Sequence, residues 1–156
     1  MRQRKFQMFS AGTPQWERKV AINESLRVMA YRTTQVARLT FEDDRVPLMC
    51  RFEVAGTDEM DEKGKAVTGW GKGSIQELES GDQLFCQLRW FQDADGNYAG
   101  EFTISSGSGR WKGAIGEIEI QSMFLTTIYE EDDLSVDQPM QVMGMLEGIG
   151  TISLPA

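Results

Sequence analysis

Glycine is the feature that most constrains how this chain can fold. The 156 residues include 16 Gly and only 4 Pro. After residue 55 the glycines punctuate short runs rich in Val, Ile, Thr, Phe, Tyr and Trp. Short β-rich runs broken by glycine are the rhythm of an antiparallel all-β domain. The pattern predicts strands near Leu48–Val54, Ala66–Glu79, Gln83–Gln92, Tyr98–Ser105, Ile115–Tyr129 and Met140–Ser153. Asp93-Ala-Asp-Gly-Asn97 reads as a hairpin turn, because Asp-Gly tolerates the positive φ such turns require. A calcium loop needs a glutamate twelve positions along, where Ile104 stands instead.

The first third is less decided. Residues 1–15 read as a polar, flexible arm, followed by one domain over 16–156. Between Trp16 and Phe41, Ile22, Leu26, Met29 and Ala30 fit one helix face, whereas Val20, Ile22, Leu26, Val28 and Ala30 fit strand alternation. The β-rich stretch Tyr31–Phe41 favours strands, with a short N-terminal helix or arm before them. Gly56–Lys65 reads as a charged loop. The total is seven to nine strands with no βαβ alternation. Closing such a sheet into a barrel protects its edges, and eight strands leave an interior that is filled or holds one small ligand, although the same glycines would also fit a sandwich.

Composition then narrows function. Sixteen Lys and Arg against 24 Asp and Glu leave a net charge of −8, which disfavours nucleic acid and anionic membranes as partners. There is no histidine, so Ser-His and Cys-His nucleophilic pairs and His-ligated metal sites are excluded. Cys50 and Cys86 are far apart and lie in apolar runs, the setting of buried free thiols. The basic Met1-Arg-Gln-Arg-Lys-Phe6 is followed by no signal-like apolar stretch, and no run approaches the roughly 18 apolar residues of a membrane helix. A soluble cytoplasmic protein is expected. Its size is that of one domain able to bury a core without disulfides or metal.

The most distinctive stretch is Ser106-Gly-Ser-Gly-Arg-Trp-Lys-Gly-Ala-Ile-Gly116. It resembles the Gly-x-Gly-[Arg/Lys]-aromatic-x-Gly-Ala-x-Gly signature of the allene oxide cyclase-like barrels, which include plant cyclases, dirigent proteins and bacterial spiro-forming polyketide cyclases. Asp61-Glu-Lys-Gly-Lys-Ala-Val-Thr-Gly-Trp-Gly-Lys-Gly73 is similar to an upstream family strand motif, with Thr68 where glycine is usual. Asp95-Gly96 falls at the family's Asp-Gly hairpin. The resemblance spans about residues 61–122. It implies an all-β, antiparallel, eight-stranded closed barrel (allene oxide cyclase-like, calycin-like) with an apolar lumen for a hydrophobic small molecule. It implies further a homo-oligomer, since family members commonly oligomerise.

On that expectation Trp70, Trp90, Tyr98, Phe102 and Ile120 are lumen candidates, with Gln87, Arg89 and Glu101 as polar orienting groups. Strand parity leaves two choices open. Leu84, Cys86, Leu88 and Trp90 form one wholly apolar face, and Phe85, Gln87, Arg89 and Phe91 form a mixed one. Glu117 and Glu119 share a face opposite Ile118 and Ile120 and are read as solvent-facing rather than as a hydrolytic pair. The acidic run Tyr129–Leu134 reads as a solvated loop, and the methionines Met123, Met140, Met143 and Met145 suit an adaptable apolar surface. No residue declares itself catalytic, and the reading calls for no cofactor and no metal. The expected function is a ligand-holding barrel, in one form a cofactor-independent cyclase or isomerase working by orientation and water exclusion. The alternative is a non-catalytic binding or assembly barrel acting through its surface.

Overall fold

The computed structural model describes residues 1–17, 20–62, 66–92, 95, 98–127 and 142–156. It is all-β, with no α-helix among these residues and one 3-10 turn at Gly109–Trp111. The ring strands are β1 (Arg2–Gly12), β4 (Leu26–Phe41), β5 (Leu48–Asp61), β6 (Ala66–Glu77), β7 (Gln83–Gln92), β8 (Tyr98–Gly107), β9 (Ile115–Thr127) and β10 (Val142–Leu154). Two short strands, β2 (Gln15–Trp16) and β3 (Val20–Ala21), pair with the start of β4 outside the ring. Every pairing is antiparallel, and β1 pairs with both β10 and β4, which closes an eight-stranded barrel. No helix among the described residues is long and apolar enough to cross a membrane.

The N-terminal residues are not an arm. Arg2–Gly12 forms the closing strand, with Phe6, Met8 and Ser10 turned inward between exposed or half-buried neighbours. Its inward side carries only two large apolar groups, so the pattern is faint until β10 and β4 flank it. The split signal over Trp16–Phe41 resolves toward strand. β4 runs for 16 residues and buries Met29, Tyr31, Thr33, Gln35, Ala37, Leu39 and Phe41 in strict alternation, whereas Ile22 is exposed. β-branched residues at Val28, Thr33, Thr34, Val36 and Thr40 favour the pleat. The charged stretch after Gly56 is likewise strand, since β5 continues to Asp61.

Register shows how the barrel is staggered. One rung passes from Met29 to Asp58, Gly69, Trp90, Gly100, Ile120, Gly148 and Met8, and returns to β4 at Leu39. That is ten residues beyond its start on the same strand, the offset that tilts strands in a closed barrel. Large side chains and glycines alternate along much of this rung, which lets bulky groups interdigitate across a narrow interior.

One end of the interior is filled. Phe6 and Phe41 pack with ring centroids 5.1 Å apart, and Phe41 stacks on Trp111 at 5.9 Å. Phe52 and Phe102 meet at 5.3 Å just inside, and Ile104, Ile118 and Ile152 are almost wholly buried beside them. Trp111 belongs to the glycine-rich signature. Gly109 turns the chain with φ of +56°, a conformation that costs a side chain dearly. Its missing side chain also leaves room for the Asp82 carboxylate, which accepts the Arg110 backbone N–H at 3.2 Å. The glycines thus deliver Trp111 to the base of the barrel, a structural role.

Cys50 and Cys86 are buried, free thiols whose pKa values burial pushes up to about 12. β7 and β8 are paired from Gln92 and Tyr98 inward. The turn Asp93–Asn97 apart from Asp95, residues 63–65 of the upstream motif, the acidic run 129–134 and Met140 lie outside the described residues.

Candidate functional site

The parity of β7 is decided in favour of the apolar face. Leu84, Cys86, Leu88 and Trp90 point inward, whereas Phe85, Gln87, Arg89 and Phe91 point outward. The eight sequence-predicted residues therefore separate. Trp90, Phe102 and Ile120 face the interior and are buried, and Tyr98 is half-buried at the end away from Trp111. Trp70, Gln87, Arg89 and Glu101 lie on the outer face, where Trp70, Arg89 and Glu101 stand on one rung. These four line an open groove with Lys72 and Thr103, over the backbone at Gly56 and Gly71. They do not reach the lumen because each sits one residue out of phase with its inward neighbours. Glu117 and Glu119 also face outward.

At the end away from Trp111 the interior changes character. β5 buries Cys50, Phe52, Val54, Asp58 and Met60 on one face, so Asp58 is a carboxylate set in an apolar series, only 4% exposed. Trp90 of β7 donates its indole N–H to Asp58 Oδ1 at 2.9 Å, and Trp16 of β2 donates to Oδ2 at 2.7 Å. Gly69 stands between Asp58 and Trp90 on the rung, and a Cβ there would collide with both the carboxylate and the indole. The glycine allows the two to meet.

Tyrosines complete the shell. Tyr98 packs edge-on against Trp90 with centroids 5.6 Å apart. Tyr31 of β4 is buried, and its hydroxyl donates a long bond to the Trp70 carbonyl at 3.5 Å. Met29 lies directly across the strand pair from Asp58, and Met60 follows it on the same face. Deeper in, Ser10 donates to Gln35 Oε1 at 2.7 Å, and the Gln35 amide donates to Thr33 Oγ1 at 3.0 Å, a small satisfied polar belt.

The electrostatics are unusual for a barrel interior. Burial pushes the Asp58 carboxyl from 3.8 up to about 6, against the two indole hydrogen bonds, which pull it down. Burial raises the Tyr31 and Tyr98 hydroxyls too, and the Asp58 charge raises both further. No cation pairs with Asp58 among the described residues. A buried titratable group lifted to about 6 among aromatics marks a candidate functional site. No three acidic or cysteine side chains among the described residues are grouped to hold a metal.

The sequence reading missed Asp58, Tyr31 and Trp16. A signal for Asp58 was present: Cys50, Phe52, Val54, Gly56, Asp58 and Met60 share one parity, visible once the strand is extended through its charges. Trp16 had none, since its partner lies 42 residues away.

The fold and this site define a class: a closed eight-stranded antiparallel barrel, plugged by aromatics at one end, with a buried carboxylate under two indoles at the other. Comparison of the chain with family models, curated proteins and solved structures yields no match.

Proposed function

We propose that this protein holds an apolar small molecule at the Asp58 end of its barrel. The observation that carries the reading is the Asp58 carboxylate, buried with two neutral N–H donors and no cation beside it among the described residues. Folding alone gains little from such a group, since an apolar residue of similar volume would avoid its desolvation. Aromatic and thioether walls (Trp90, Tyr98, Met29, Met60) supply contact for an apolar body, and the carboxylate supplies one orienting polar group. The resemblance to allene oxide cyclase-like barrels points the same way. In the catalytic form of this reading the protein is a cofactor-independent cyclase or isomerase. Asp58 would exchange a proton with the substrate, since a pKa of about 6 populates both of its states near neutrality.

Native mass spectrometry of protein purified from its own host, followed by denaturing extraction, tests the proposal. A co-purifying apolar molecule at one per chain is the expected result. A bare protein that also fails to bind an environment-sensitive fluorophore would leave the second reading. In that reading the barrel acts as an assembly module through its outer face. It is favoured by an apolar row across four strands, Val36, Ala11, Met145 and Phe124, of which all but Ala11 are exposed. Sedimentation of wild type against Phe124→Asp reports on it, with the variant shifted to a smaller species.

A further inference from the structure

Asp58 has acceptor capacity that the fold leaves unused. An ionised carboxylate offers about four lone-pair sites, and each oxygen here takes one indole N–H. No further donor and no cation reaches it among the described residues. The groups around it are also acceptors or electron-rich. The phenol oxygens of Tyr31 and Tyr98 feel the Asp58 charge, and the rings of Trp16, Trp90 and Tyr98 wall the site. An acceptor-rich aromatic enclosure with no cation among the described residues matches an ammonium group, which brings three donors and a positive charge. It repels a carboxylate or phosphate. Trp16 is the one member of this shell carried by a strand outside the ring, so it covers Asp58 from outside the ring of eight strands.

We propose that Asp58 is the counter-ion for the ammonium head of an amphiphilic amine, whose apolar chain lies against the aromatic and thioether walls. This rests on the ligand-holding reading above and names its substrate class. Binding supplies a positive charge that no described residue brings to Asp58, and the Trp16 indole is exchanged for, or shared with, the incoming N–H donors.

Calorimetric titration with decylammonium, decanol and decanoate at neutral pH and high salt separates the possibilities. High salt screens the general attraction of an acidic surface for cations, but affects a buried pair far less. Decylammonium is expected to bind at one site, about tenfold or more tighter than decanol, with decanoate weakest. In Asp58→Asn the ratio of ammonium to alcohol affinity is expected to fall to about one. Decanol or decanoate binding as tightly as decylammonium in wild type would overturn the proposal while sparing the ligand-holding reading. So would an Asp58→Asn variant that keeps the ammonium preference. If none of the three binds, both fail. The wild-type comparison stands by itself should the variant not fold.

Discussion

Both ends of the barrel bury a carboxylate that accepts an indole N–H, yet their other partners differ in charge. At the plugged end Glu77 accepts from Trp111 Nε1 at 2.6 Å, from Arg110 Nε at 2.5 Å and from Ser80 Oγ at 3.0 Å. Its charge is matched, and the Arg110 guanidinium also lies over the Trp111 ring at 4.7 Å. At the other end Asp58 accepts from two indoles and has no cation among the described residues. The same carboxylate–indole pairing therefore serves two purposes. With a guanidinium it fastens the signature turn to the base of the sheet. Where no described cation meets it, burial lifts the acid to about 6.

The comparison is broken most forcefully at the plugged end. Trp111→Ala removes a ring that is 2% exposed and stacked on Phe41. Chemical denaturation should register a loss of about 3–5 kcal/mol. The Asp58 end should instead reveal itself through pH. The folded protein keeps the Asp58 proton up to about pH 6, whereas the unfolded chain releases it near the ordinary 3.8. Proton uptake thus favours the fold below about pH 4, and this contribution is lost as pH rises through 4 to 6. Measured as the difference between wild type and Asp58→Asn, the stability of wild type should decline by about 3 kcal/mol across that window and stay level above it. A difference that does not vary with pH would sink the assignment of Asp58 as a poised acid.

Smaller effects sharpen the contrast. Gly69→Ala places a methyl group onto the carboxylate and the Trp90 indole. It should cost about 1–3 kcal/mol by overpacking, and should weaken decylammonium binding more than its effect on melting temperature suggests. Arg110→Gln makes the plugged end resemble the other by leaving Glu77 without its cation. Because Arg110 is about half exposed, the loss should be only about 1 kcal/mol by thermal melt.

How much of this was legible in the residues varies along the chain. β7 was readable to its ends, because Leu84–Trp90 alternates cleanly between apolar and mixed faces. β1 was not, since Lys5, Gln7 and the small residues around Gly12 resemble an arm until β10 and β4 pair with them. Asp58 was hidden by its own neighbours: Glu59, Asp61 and Glu62 made the segment look like a loop. Trp90 and Tyr98 were recognised as interior candidates, but Trp70, Gln87, Arg89 and Glu101 fell on the outer groove. Apolar and polar runs state which residues alternate. They do not state which phase of the alternation faces in.

The sequence by itself determined the class of fold. Period-two alternation is local, and glycine-broken β runs without helical connections point to an antiparallel sheet, closed as a barrel or packed as a sandwich. It also excluded histidine chemistry outright. The tertiary structure alone decided which residues meet at the Asp58 end. Asp58 becomes a buried acid only when Trp16, 42 residues before it, and Trp90, 32 residues after it, converge on its two oxygens. The stagger of the closed ring decides which rung each residue joins. That convergence depends on register across strands, a long-range property that no window of the sequence contains.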